Sequence, residues 1–179
     1  MKRIFIDCGG YYCTSIERFM RTADYTPDTE MYSFEPNPDC HGAYEGKDYV
    51  KLMKYACWTN NAMTVFNRKT RFGGQANSII DNGTFNPDRK VIVQCIDFPR
   101  WFSENTAEGD DIVLKMDIEG AEYRVIPEML NRGLFKRIRK AYMEWHDPRR
   151  YGRWCRRKIQ WQNPNMILLD SLEYEIGKR

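Results

Sequence analysis

The 179-residue chain has no apolar run near the roughly 20 residues that a helix needs to cross a bilayer. Its longest candidates, Val91 to Ile96 and Met166 to Leu169, fall far short. Only Ile4, Phe5 and Ile6 precede Asp7, too few for a secretory leader. The expectation is a cytoplasmic protein with no membrane partner. No C-x-x-C pair occurs among the six cysteines at 8, 13, 40, 57, 95 and 155, and Cys40-His41 is the one Cys/His neighbour pair. Structural zinc needs four ligands at close, repeated spacing, so no metal site is expected and the thiols are read as reduced. Internal repeats and low-complexity tracts are missing. So is G-x-G-x-x-G, which places a nicotinamide dinucleotide last among nucleotide ligands, because its pyrophosphate needs those glycines. A dominant charge of one sign is also lacking, with 28 basic residues against 25 acidic and a net of +3.

What is present suits a single domain over residues 1–179. The chain is 42% apolar and 14% aromatic, and at this length about 70% of the unfolded surface can be buried. Strands are expected at Lys2 to Asp7, Met31 to Glu35, within Tyr49 to Trp58, at Ala62 to Asn67 (an edge), Val91 to Ile96, Asp111 to Met116 and Ile138 to Trp145. Helices are expected from Thr14 or Ser15 (as cap) to about Thr22, over Asp97 to Glu104, over Glu122 to Leu130 around Pro127, from about Tyr151, and near Met166 to Leu169. Arg68 to Lys90, with Gly73-Gly74, Asn82-Gly83 and Asn86-Pro87, reads as a long loop or hairpin. Alternating strands and helices indicate an α/β, doubly wound sheet, mostly parallel, with an antiparallel C-terminal edge strand around Tyr174 to Ile176.

Ligands of such sheets collect beyond the carboxyl ends of the strands. The residues there are Asp7-Cys8-Gly9-Gly10, Glu35-Pro36-Asn37, Cys57-Trp58, Asp117-Ile118-Glu119-Gly120 and His146-Asp147. Acids dominate. Asp7 would repel a diphosphate and suits a ligand with an amino group and no phosphate, and Gly9-Gly10 can let backbone approach it closely. Glu35, 28 residues after Asp7, stands where an acid can accept both hydroxyls of an adenosine ribose. From Lys115 to Glu122 a buried strand runs into Asp117, Glu119 and Glu122, more acids than helix capping requires. Alternation puts Lys115 and Asp117 on one face, where burial would force them to pair or to serve a ligand.

IFIDCGG at 4–10, SFEPNP at 33–38 and LKMDIEGAE at 114–122 occur in that order. In these blocks the chain resembles the FkbM-type S-adenosylmethionine-dependent methyltransferases, from about Arg3 to His146, and YMEWH at 142–146 is similar to that family's later strand. One departure is Cys13, where the family usually has a glycine. The resemblance implies a Rossmann-like methyltransferase sheet and S-adenosylmethionine as cofactor. It implies Glu35 on the ribose hydroxyls, Asp7 toward the methionine ammonium, and Gly9 and Gly10 as backbone under the cofactor. Asn37 joins that set, and Cys57 and Trp58 are placed against the adenine, with Trp58 equally at home in the core.

For a hydroxyl acceptor, Asp117, Glu119 and His146 are the candidate bases, and Lys115 could orient the acceptor or neutralise Asp117. His146 has a reference pKa near 6.5, suited to that work. Arg68, Lys69, Arg71, Arg89 and Lys90 make the long loop basic, which fits a solvated hairpin and also suits a small anionic acceptor such as an acidic sugar. Between Arg132 and Lys158 eleven basic residues face two acidic ones, a net of +9 interleaved with Tyr151 and Trp154 and followed by Trp161. That stretch fits either a solvated helix face or a grip on nucleic acid. The leading expectation is O-methylation of a carbohydrate or other small hydroxylated molecule. The rivals are a nucleic-acid (RNA) methyltransferase and a Rossmann-like binding module without turnover.

Overall fold

The computed structural model describes residues 1–67, 77–80, 90–146, 151–170 and 172. In chain order they form β1 (Arg3–Cys8), α1 (Thr14–Phe19), β2 (Glu30–Phe34), α2 (Pro38–His41), β3 (Val50–Met53), β4 (Ala56–Trp58), β5 (Ala62–Asn67), β6 (Lys90–Asp97), α3 (Phe98–Asn105), β7 (Asp111–Met116), α4 (Glu122–Asn131), β8 (Ile138–Met143), α5 (Arg153–Gln162) and β9 (Ile167–Leu169). Six strands make one sheet in the order β3-β2-β1-β7-β8-β9, with every neighbouring pair parallel. The chain winds outward from β1 through β2 to β3, then returns to β7 on the other side. That reversal opens a crevice between the carboxyl ends of β1 and β7.

Strand alternation sorts the core into two layers. Ile4, Ile6 and Cys8 of β1 face one way with Ile112, Leu114 and Met116 of β7, and are covered by α3, α4 and α5 through Phe98, Phe102, Val125, Met129 and Ile159. Phe5, Met31 and Val113 face the other way against Ile16 and Phe19 of α1. There the Phe5 and Phe19 rings stack with centroids 3.9 Å apart. Each such buried ring contributes about 1.5–3 kcal/mol. Central strands buried on both faces account for the uninterrupted apolar reading of Asp111 to Met116.

Three segments depart from the sequence reading. Tyr49 to Trp58 is two strands in two sheets, because the chain doubles back at Tyr55, whose N–H donates to the Met53 carbonyl at 2.8 Å. The second strand, β4, then pairs with β6, and β5 pairs antiparallel to β6 at the edge of a three-stranded sheet. Met166 to Leu169 is not helical: β9 adds parallel to β8, since so short an apolar run gains more from ladder bonds than from one helical turn. The described C-terminal edge is therefore parallel, and the antiparallel strand expected at 174–176 lies outside the described residues. Neither Thr14 nor Ser15 caps α1: Cys13 holds that position at φ 67° with no side-chain cap bond. Most of the long loop, with its glycine and proline turns and Arg68, Lys69, Arg71 and Arg89, also lies outside the described residues, and Lys90 begins β6.

Non-glycine residues with left-handed backbone are, among those described, Tyr11, Cys13 and Glu119. All three lie in the loops that leave β1 and β7, so local strain is concentrated at the crevice. The φ of Cys13 costs an L-residue roughly 1–2 kcal/mol that a glycine would not bear. Gly9 is more tightly constrained: at φ 89° an added Cβ would lie 1.9 Å from the Asp117 carbonyl oxygen. We expect Gly9→Ala to lose more than about 3 kcal/mol in urea unfolding. Cys13→Gly should stay within about 1 kcal/mol of wild type, the relieved strain offsetting the lost thiol burial. The reverse ranking would refute this account of the two loops.

Candidate active site

A cavity of about 440 Å³ opens beyond the carboxyl ends of β1, β2, β7 and β8, walled on one side by the second sheet and Asn77 to Ile79. Of the residues singled out in the sequence, Gly9, Glu35, Cys57, Lys115, Asp117 and Glu119 line it. Asp7, Gly10, Asn37, Trp58 and His146 stand off the wall, most of them in direct support of residues that form it.

Lys115 organises the floor. Strand register sets Ser33, Asp7, Lys115 and Tyr142 side by side across β2, β1, β7 and β8. The Lys115 ammonium donates to the Gly9 carbonyl at 2.7 Å and lies 3.4 Å from Asp7 Oδ1 and 3.3 Å from Asp117 Oδ2. Burial works against its charge, but Asp7 and Asp117 together raise its pKa and keep it cationic. Burial likewise pushes the Asp7 carboxyl up against the pull of Lys115. Asp7 also accepts from Ser33 Oγ at 3.2 Å, and Ser33 shares a hydrogen bond of 2.9 Å with the Tyr44 hydroxyl. Gly10 makes room for that pair, since an added Cβ would lie 1.9 Å from Ser33 Oγ and 2.3 Å from the Tyr44 hydroxyl. The two glycines thus serve packing of the protein on itself.

Glu35 caps β2. Its side chain is buried, with Oε2 accepting from the Tyr11 N–H and Oε1 from the Asn37 N–H, both at 2.7 Å. Burial pushes its pKa up to about 7, against those two bonds. Asn37 acts one step back: its backbone orients Glu35, while its side chain accepts from Asp39 N–H and caps α2. Cys57 forms part of the cavity wall as a buried thiol whose pKa burial raises. Trp58 packs instead on the small core of the second sheet.

The turn after β7 is bent by Glu119 at φ 54° and Gly120 at φ 99°. Ser78 Oγ donates to the Glu119 carbonyl at 2.7 Å and fixes it. Glu122 is fully buried: Oε2 accepts from Gly120 N–H at 2.8 Å, and Oε1 meets His146 Nδ1 at 2.9 Å. His146 Nε2 then lies 3.2 Å from Glu119 Oε2 and 3.7 Å from Asp117 Oδ1. Burial pulls the imidazole down, yet hydrogen bonds to Glu119 and Glu122 and their charges push its pKa up to about 10. At neutral pH a ring with that pKa holds its proton and donates, so service as a base would first require the proton to leave.

Sequence reasoning missed Ser33, Tyr44 and Ser78, and left Glu122 without a role. A signal existed for Glu122, the third acid around one glycine. Ser33 could be found only from the register that sets it beside Asp7.

Fold and site define a Rossmann-like α/β domain with its cleft at the sheet's switch point. The chain belongs to the methyltransferase FkbM domain family, whose profile matches residues 7–176. No curated protein and no solved structure matches it. Membership establishes a methyltransferase in general. No helix among the described residues is long and apolar enough to cross a membrane.

Removing Lys115 would strand two carboxylates. Lys115→Met is expected to destabilise by about 3–5 kcal/mol in urea unfolding, and adding Asp7→Asn should recover part of that loss. A Lys115→Met cost below about 1 kcal/mol would show that the ammonium does not hold the loops together.

Proposed function

We propose that the chain is an S-adenosylmethionine-dependent methyltransferase that methylates oxygen on a small hydroxylated acceptor, a carbohydrate or a molecule like it, within one domain spanning residues 1–179. The observation that carries the cofactor is Glu35, a buried carboxylate fixed by two backbone N–H groups at the end of β2. Its remaining lone pairs suit two adjacent hydroxyls of a ribose. A cavity of about 440 Å³ is of nucleoside size. Its acids suit a cationic ligand free of phosphate, and no glycine-rich phosphate loop accompanies them.

Bound there, the cofactor supplies a sulfonium methyl group for in-line displacement by the acceptor oxygen. The chain's own part is alignment and proton handling. Glu35 and the Gly9 backbone would hold the nucleoside, with Asp7 acting behind Gly9 through Lys115. Asp117 and Glu119 face the cavity where an acceptor hydroxyl would lie, and either can take its proton as oxygen attacks. His146, already protonated, orients Glu119.

Nucleic acid is the weaker acceptor, because much of the basic excess is engaged within the fold. Arg132 pairs with Glu128 and Asp97, Arg139 with Asp111 and Asp24, Lys140 with Asp24, and Arg156 with Asp170. Arg149 and Arg150 lie outside the described residues. What supports the RNA reading is the exposure of Trp154 and Trp161 on α5 beside Arg157 and Lys158. A labelled-methyl transfer assay over sugar and RNA panels separates the two acceptors. Turnover on neither, with cofactor bound, would favour the binding module.

Calorimetry tests the cofactor. S-adenosylmethionine should bind with a micromolar Kd, Glu35→Ala should weaken it by more than about tenfold, and NAD should not compete. Undiminished binding by the variant, or preference for NAD, would overturn the reading.

The same titration has a pH signature. The folded pKa of Glu35, about 7, lies above its unfolded value of about 4.5. Its stabilising contribution is therefore complete below about pH 4.5 and is lost as pH rises through about 7. Hydroxyl donors need the ionised form, so affinity should rise up to tenfold per pH unit toward about pH 7 and then level off. Glu35→Gln should abolish that slope.

A further inference from the structure

The cluster behind the cavity floor carries more than proton chemistry. Asp117, Glu119 and His146 come from the ends of two adjacent strands, and one donor atom of each lies within 4.8 Å of the other two. The His146 nitrogen is 3.2 Å from one oxygen and 3.7 Å from the other. Metal–ligand bonds of about 2.1 Å put neighbouring donors roughly 3 Å apart, so the three atoms need little movement to share one ion. We propose that Asp117, Glu119 and His146 bind a divalent first-row transition cation at the acceptor end of the cavity.

Two further observations point to a ligand. Asp117 divides its oxygens: Oδ2 faces Lys115 at 3.3 Å, while Oδ1 is shielded from solvent and has no hydrogen-bond partner among the described residues. A buried carboxylate oxygen left in that state is costly unless something else engages it. Glu122, fully buried, fixes His146 from the far side through Nδ1 at 2.9 Å and through the backbone N–H at 3.2 Å. A carboxylate behind an imidazole, setting its tautomer and ring orientation, is the usual support of a metal-ligating histidine.

The donor set selects the ion. One imidazole and two carboxylates, with no sulfur, suit Mn²⁺, Fe²⁺, Co²⁺ or Zn²⁺ better than Mg²⁺ or Ca²⁺, which favour all-oxygen shells. Cysteine spacing, which argued against structural zinc, does not bear on such a site. Three protein ligands leave coordination positions open. Asp117 and Glu119 also line the cavity, which brings the ion near the space where an acceptor hydroxyl would lie. A role toward that hydroxyl rests on the methyltransferase reading and would stand in place of proton uptake by Asp117 or Glu119, whose oxygens the ion engages; the binding of the ion does not rest on it.

The test uses Mn²⁺ as probe on the full, cofactor-free chain, followed by the paramagnetic signal of free Mn²⁺ and by calorimetry. One equivalent should bind with micromolar affinity. Asp117→Asn and Glu119→Gln should each weaken binding by about tenfold or more, while Glu104→Gln on α3 leaves it unchanged. Circular dichroism establishes that each variant is folded, and Glu119, which makes no ion pair with Lys115 among the described residues, keeps the test informative if Asp117→Asn unfolds. No binding of Mn²⁺, Co²⁺ or Zn²⁺ tighter than roughly 1 mM, or binding that Glu119→Gln does not weaken, would overturn the site. S-adenosylmethionine calorimetry on the same samples keeps the two proposals apart: cofactor binding without metal binding sinks the cation alone, and the converse sinks the cofactor alone.

Discussion

Lys115 carries a positive charge into the middle of a parallel sheet, where two carboxylates and a backbone carbonyl compensate it. Those partners stand where the chain leaves the two strands that flank the switch point. Asp7 lies at the end of β1 with Gly9 just beyond it, and Asp117 follows β7. One ammonium therefore ties both lips of the crevice to a single point. Without it the floor would hold two uncompensated acids, and the loops would have no reason to converge. The price of burying the charge is met by geometry that strand register supplies before any ligand arrives.

From that anchor the acids separate into different tasks by what touches them. Asp7 is enclosed with Lys115 and Ser33 and supports the floor from behind. Glu35 is held by two backbone N–H groups and keeps lone pairs toward the cavity. Glu119 and Asp117 face His146, which Glu122 holds in place. Five carboxylates within one region would repel one another in water. Here Asp7 and Asp117 share Lys115, Asp117, Glu119 and Glu122 share His146, and Glu35 has backbone donors. Left-handed backbone at Tyr11, Cys13 and Glu119 is the strain that brings these groups together.

The sheet was largely legible in the sequence because its signals are local. Asp111 to Met116 reads as a buried central strand from its own apolar run, and the structure has the same limits. The acids at the strand ends were also legible, since Glu35 and Asp117 each follow an apolar segment directly. Short segments were not. Met166 to Leu169 is compatible with helix or strand, and only an unfilled edge on β8 makes it a strand. Tyr49 to Trp58 gave no sign that its two halves would join different sheets.

The sequence by itself determined the class of fold, the order of its elements and the acidic character of the cleft, because strand period and loop chemistry are written in neighbouring residues. Tertiary structure decided what each acid does. Lys115 meets Asp7 across 108 positions, and His146 meets Glu122 across 24. Which carboxylate faces an ammonium, an imidazole or open cavity depends on parallel register and on the angle of two loops. Spacing along the chain does not encode distances in space, so those roles exist only once the sheet has closed.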